Sequence, residues 1–251
     1  MSKNIFHISC LLKQDKNSIS QIANRLIDLL SKLSKVDPIF DSFVYSKENF
    51  TDVNISISKM GVNESKVLLA NTILASNLEY VKKNNQTNVL DLDYSCDFGF
   101  FHLLKFYKNQ ENYFSITGNI GSSQYPSLNL AYFYGSEIYP YEWYYDVLSC
   151  LVMELNPEYA SVNISLTTFI EESSKLKVKS PLGWITYFSN DNLVTIPDDL
   201  DIEYEFTEKG KFLILTKNDF TDNKEMYLTH KNKLLNLMSE IKKRSPKYSL
   251  S

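Results

Sequence analysis

The run FGFFHLLKFYKNQENYFSITGNIGSSQYPSLNLAYFY, residues 98–134, decides the fold class. It holds three aromatic and β-branched segments, 98–107, 113–119 and 128–134. Asn109-Gln110-Glu111-Asn112 and Gly121-Ser122-Ser123 separate them, and such breaks mark turns. Turns this short can join only antiparallel neighbours, so the stretch predicts a meander of strands. Before it comes a polar connector, residues 84–88, and before that a predicted helix over 63–83. Asn63 is its candidate N-cap, Glu64 sits in its first turn, and Val67, Ala70, Ile73, Leu74, Leu78 and Val81 supply its apolar face. Short strands are expected over 40–45 and 53–57. An earlier helix is clearer still. Ser18 and Gln21 stand at capping-box spacing, and Ile19, Ile22, Ala23, Leu26, Ile27, Leu30 and Leu33 recur at helical spacing until Asp37-Pro38. Residues 5–12 read as a buried strand.

After the meander, residues 139–155 form a third predicted helix. Tyr144, Val147, Leu148, Leu151, Val152 and Leu155 lie on one stripe, and Asn156-Pro157 stops it. Strands are expected over 160–170, 183–188, 201–206 and 211–216, with Glu208-Lys209-Gly210 turning the last two into a hairpin. The final helix spans 222–244. Asp222 and Glu225 stand at capping-box spacing, and Lys242, Lys243 and Arg244 lie at the favoured end. The outcome is α+β, with mixed, largely antiparallel sheet and about four helices. The chain reads as a single domain over 1–251. Each half offers strand, helix and further strands, which suggests two related lobes with a boundary near 84–97.

Composition narrows the function. The 251 residues carry 30 Asp+Glu against 26 Lys+Arg, a net charge of −4. A mildly acidic chain is not a general nucleic-acid binder, because phosphate affinity needs clustered cations. Seven scattered glycines leave little for a phosphate-cradling loop. Lys outnumbers Arg 24 to 2, which fits an AT-rich coding sequence and says little about activity. No apolar run reaches the ~18 residues of a membrane span. The N-terminal apolar stretch is short and broken by His7, so the expectation is a cytoplasmic chain starting near Met1 rather than a processed signal. Cys10, Cys96 and Cys150 cannot all pair internally, which agrees with a reducing compartment.

A search for chemistry finds little. His7, His102 and His230 stand in no metal-ligand spacing, and His7 and His102 sit in apolar strands, as core histidines do. His230, beside Lys231 and Lys233, reads as solvated. The cysteines read as small buried hydrophobes. There is no nucleophile elbow and no Walker loop. The most enzyme-like segment is Pro197-Asp198-Asp199-Leu200-Asp201-Ile202-Glu203-Tyr204-Glu205. Carboxylates so placed could hold Mg²⁺ or perform acid–base work. Alternation along a strand, however, puts Asp201, Glu203 and Glu205 on one solvated face.

Charge and aromatics are unevenly spread. Residues 85–160 hold nine acids and only Lys105 and Lys108 as bases, a net −7, which leaves +3 elsewhere. Within that acidic segment Tyr132, Phe133, Tyr134, Tyr139, Tyr141, Trp143, Tyr144 and Tyr145 fall in 14 residues. Aromatics at nearly every position of a helix start cannot all face inward. Tyr139, Tyr141, Glu142, Tyr145 and Asp146 are therefore the candidate binding surface, joined by the acidic patch Asp198, Asp199 and Asp201. Such a surface suits a basic protein partner, since charge steers encounter and aromatic area holds it.

The segment Pro181-Leu182-Gly183-Trp184-Ile185-Thr186-Tyr187-Phe188-Ser189-Asn190 resembles the Imm52 immunity proteins and related type VI secretion immunity families. The Asn156-Pro157-Glu158-Tyr159-Ala160 helix end and the element order over essentially the full length fit the same layout. The resemblance implies a non-catalytic α+β protein without cofactor, made beside a polymorphic or type VI secretion toxin and neutralising it by binding. Toxins paired with this family are commonly nucleases, and an acidic inhibitor can mimic the charge of a nucleic acid. Gly183, Trp184 and Tyr187 are read as fold determinants, not as toxin contacts. The expectation is thus an immunity protein acting by active-site occlusion, with no direct nucleic-acid or membrane contact and with a homodimer left open. The alternatives are a small Mg²⁺-dependent hydrolase using Asp198, Asp199 and Asp201, or an adaptor subunit.

Overall fold

The structure is a computed structural model that describes residues 6–79, 81, 91–95, 102–109, 113–124, 126–133, 139–164, 174–178, 180–192, 194, 196–197, 199–218 and 224–248. The connector at 84–88 and most of the 84–97 stretch lie outside these residues. The chain forms two compact units. Residues Leu11–Gly135 with Met153–Leu155 make one, and Met1–Cys10, Ser136–Val152 and Asn156–Ser251 make the other. Strand β1 (Phe6–Leu11) opens the chain and stands beside a strand of the second unit.

The unit that begins at Leu11 starts with α1 (Ile19–Val36). Ser18 closes the expected capping box. Its hydroxyl accepts the Gln21 N–H at 3.3 Å, and the Gln21 side chain accepts the Ser18 N–H at 2.8 Å. The predicted apolar stripe is buried throughout. Asp37 ends the helix, and its carboxylate then accepts the Ile39 N–H at 3.0 Å, which opens a 3-10 turn over Pro38–Asp41. Phe40 therefore belongs to this turn, and the strand expected over 40–45 is only β2 (Ser42–Tyr45).

Strand β3 (Val53–Ser56) leads into a one-turn helix α2 (Ile57–Met60) and then α3 (Val62–Ser76). Gly61, at φ +84°, is the N-cap between them, in place of Asn63. The inward face also differs from expectation. Ser65, Leu69, Ala70, Thr72 and Ile73 are buried, while Val67 is exposed. Two polar residues can lie inside because each hydroxyl is satisfied one turn back. Ser65 donates to Gly61 O at 2.8 Å and Thr72 to Leu68 O at 2.7 Å.

The meander is present as β4 (His102–Tyr107), β5 (Tyr113–Gly118) and β6 (Ser127–Phe133). Antiparallel pairing sets Tyr107 opposite Tyr113 and Gly118 opposite Leu128. The strand order is β3-β2-β4-β5-β6, and Phe43, Tyr45, Leu104, Phe106, Phe114, Ile116 and Leu130 fill the core.

In the other unit the order is β1-β7-β8-β10-β9. These strands are β7 (Tyr159–Ile164), β8 (Ile185–Ser189), β9 (Glu203–Phe206) and β10 (Gly210–Ile214). The expected hairpin is closed by Thr207 N–H donating to Gly210 O at 2.8 Å. Helix α4 (Tyr141–Leu155) ends on Asn156, which is left-handed at φ +46° before Pro157. Helix α5 (Lys224–Arg244) buries Leu234, Leu237, Met238 and Ile241 and carries Lys242, Lys243 and Arg244 in its last turn. Asp222 lies outside the described residues.

Register fixes which side chains share a face. Phe212 stands opposite Tyr187 on one side and Glu205 on the other, and Tyr187 opposite Ala160. Two residues along, Ile214 stands between Ile185 and Glu203. Helix α4 lies on this face, with the Tyr145 ring 5.4 Å from Phe212. The opposite face carries Tyr159, Phe188, Lys211 and Phe206. The whole is α+β with largely antiparallel sheet. Among the described residues no helix is long and apolar enough to cross a membrane.

Candidate functional site: an acidic and aromatic edge

Helix periodicity sorts the aromatic start of α4 into two sides. Glu142, Tyr145 and Asp146 fall at i, i+3 and i+4, which makes one outward stripe. Glu142 and Asp146 are exposed and Tyr145 is half-buried. Tyr141, Tyr144 and Leu148 fall on the inward side. Tyr141, expected at the surface, is only 6% exposed, and its ring lies 6.0 Å from Trp184. It supports the outward stripe from below, stacked against Tyr145 at 5.8 Å. Tyr139 is half-buried, with its ring 4.3 Å from Trp143.

The sheet brings a second set of carboxylates to this stripe. Because Glu205 pairs with Phe212 and Phe212 touches Tyr145, Glu205 arrives beside the helix, and the Tyr145 hydroxyl donates to its carboxylate. Burial, the hydrogen bond to Glu205 and the negative charges of Glu205 and Asp146 push the Tyr145 phenol up to about 12. Burial raises Tyr141 too, and Tyr145, Glu205, Glu203 and Glu142 add to the shift. The two tyrosines thus feel Glu142, Asp146, Glu203 and Glu205, of which Glu203 is paired with Lys217. Alternation along the strand puts Glu203 and Glu205 on a solvated face, and both are exposed. The register that carries them to α4 leaves no local mark in the sequence.

The aspartates of the 197–205 segment go elsewhere. Asp199 lies 2.5 Å from Arg244 of α5, and that hydrogen bond holds its carboxyl below the ordinary range. Arg244 also reaches Glu240 at 2.5 Å, and Asp201 lies 3.0 Å from Lys233. Asp199 and Asp201 are therefore engaged by cations of α5 and do not join the Tyr145 stripe. Asp198 lies outside the described residues. Among the described residues no three His, Cys, Asp or Glu side chains are grouped to hold a metal ion.

The Gly183-Trp184-Tyr187 segment is internal. Trp184 and Tyr187 are fully buried, and the Trp184 indole donates to Thr216 O at 2.8 Å. A Cβ on Gly183 would lie 2.2 Å from Val162 O, so β7 can approach only a glycine. Trp184 also meets Tyr144 at 5.6 Å, so the motif forms the floor beneath α4.

Among the described residues the histidines and cysteines build no site. His102 is 1% exposed with neither ring nitrogen hydrogen-bonded, and burial together with the Lys47 charge lowers its pKa to about 3. His7 and His230 are half-buried, and burial lowers both. His230 is thus less solvated than its lysine neighbours suggest. Cys10 is buried, with its thiol pushed up to about 12, and Cys150 is half-buried; Cys96 lies outside the described residues.

No family model and no curated protein matches this chain. Among solved structures, a Pseudomonas aeruginosa T6SS protein is similar at 9% identity, over 84% of this chain and 68% of that one, with a TM-score of 0.45. A likeness this distant carries no argument about activity. No family model supports the resemblance to the Imm52 family, which stays an expectation from the segment around Gly183-Trp184, the Asn156-Pro157 helix end and the element order.

Proposed function

We propose that this protein acts by binding, as an immunity protein of the type VI secretion kind that neutralises a basic toxin, a nuclease being the best fit. The observation that carries the proposal is the hydrogen bond from Tyr145 to Glu205. It ties a helix stripe to a sheet edge and gathers Glu142, Asp146 and Glu205 around aromatic rings, with Glu203 beside them paired to Lys217. Carboxylates on regular elements keep fixed spacing, and a nuclease site that grips phosphate is basic, so the two surfaces are complementary. The Gly183-Trp184 resemblance points the same way. The mechanism is occlusion of the toxin's cationic site, with no chemistry asked of this chain.

The test is co-expression with the product of a neighbouring gene encoding a secreted toxin. Growth rescue and a co-purified complex are expected. The combined substitution Glu142→Lys, Asp146→Lys and Glu205→Lys should abolish both while leaving the circular dichroism melt close to wild type. A folded triple variant that still rescues growth would sink the assignment of this surface.

A further inference from the structure

β9 is the last strand in its order among the described residues, so its outer side is a sheet edge. The Thr207–Gly210 bond makes those two a hydrogen-bonded pair. Such pairs alternate in an antiparallel ladder. Glu205 opposite Phe212 is therefore also hydrogen-bonded, while Phe206 opposite Lys211 is not, and the Phe206 peptide groups turn to the open side. The Phe206 side chain is 68% exposed. Edge strands are commonly blunted by lysine, proline or a bulge. This one offers carboxylates toward α4 and, on the other face, an exposed aromatic ring with the Lys211 ammonium 6.0 Å from its centre.

We infer that β9 receives an extended segment of the partner protein in which basic and apolar side chains alternate. This rests on the binding function proposed above and names the element that docks. Strand addition sends alternate side chains to opposite faces. Lysines or arginines of the segment then meet Glu205, Glu142 and Asp146, and its apolar side chains meet Phe206. A second copy of this chain is a poor occupant. Laying Tyr204 against its own copy sets Glu203 opposite Glu205 twice, and like charges directly opposite destabilise a pair.

The probe is a short synthetic peptide alternating lysine and valine, followed by fluorescence anisotropy with the full chain. A peptide of the same composition with its lysines in one block is the control. The alternating peptide should bind the more tightly, and Phe206→Ala and Glu205→Lys should each weaken it by about tenfold or more. In the wild-type chain, hydrogen exchange should slow at the Phe206 amide when the peptide binds, a readout that depends on no variant. Equal binding of both peptides, indifference to both substitutions, or a dimer formed through Phe206 would each overturn the inference. A toxin complex that ignores Phe206→Ala would overturn it too, yet leave the inhibitory function standing. Peptide binding without any toxin partner would do the reverse.

Discussion

Two glycines illustrate how differently single residues can constrain this fold. A Cβ on Gly210 would lie 2.2 Å from Phe188 O and 2.7 Å from the Tyr187 hydroxyl. Gly61 has open space around it but stands at φ +84° and ψ 157°, a region close to exclusive to glycine. Gly210→Ala should therefore cost about 1–3 kcal/mol through overpacking. Gly61→Ala should cost a similar amount through backbone strain alone. Urea melts give the loss, and shortening Tyr187 to Phe should recover part of it only for Gly210→Ala. His102 sets a pH dependence of definite sign. Its pKa is about 3 in the fold against an ordinary 6.5, so it is neutral when folded. Below pH 6.5 the unfolded chain takes up a proton that the folded chain refuses, and stability falls as pH drops toward 3. The slope approaches about 1.4 kcal/mol per pH unit for one proton. Lys47 is the charged group that adds to this shift. His102→Leu removes the orphaned ring nitrogens, so unfolding free energies at pH 7 and pH 5 should differ less in the variant than in wild type. Equal pH dependence would place His102 in contact with water.

At the scale of elements, what was legible in the sequence followed from local chemistry. α1 was readable from Ser18, Gln21 and a clean apolar stripe, because capping and amphipathicity are both written within a few residues. Ser18→Ala should cost about 1 kcal/mol, measurable by thermal melts, since the Gln21 N–H in the first turn loses its side-chain acceptor. Gln21→Ala should cost less, because the Ser18 hydroxyl still serves the Gln21 N–H. α3 was misread for the complementary reason. Ser65 and Thr72 look polar in sequence, yet their hydroxyls turn back to Gly61 and Leu68 carbonyls, which lets them lie inside. Val67 reads as core in sequence yet is exposed, because an apolar side chain carries no mark of the direction it points. The candidate site was half legible. The Glu142–Asp146 stripe follows from helical spacing, and the burial of Tyr141 from the same arithmetic applied one residue over. The arrival of Glu205 depends on a strand register set by Phe212 and Tyr187, which no local pattern encodes.

For the whole molecule, the missing information is long-range. β1 belongs with residues from 136 onward, although more than a hundred residues separate them in sequence. Pairing of distant strands leaves no periodic trace, so the order of elements could suggest two lobes but not which segments compose each. Charge is the property that survives this loss of detail, because it acts over a distance. The net −4 conceals −7 over residues 85–160 and +3 in the remainder. Glu205 then comes from the segment with the positive sum to join Glu142 and Asp146, while Glu203 arrives paired with Lys217. A field of this kind speeds encounter with a cationic partner more than it tightens the final complex. Stopped-flow association with the alternating lysine–valine peptide should therefore slow steeply with added salt, as the Debye length shrinks from about 10 Å at 0.1 M toward about 3 Å at 1 M. Dissociation should change much less, because it is governed by contacts at Phe206 and the Tyr145–Glu205 pair. Reversing Glu142 and Asp146 to lysine should flatten the salt dependence of association. An association rate that ignores salt in the wild-type chain would mean that the carboxylates do not face the approaching partner.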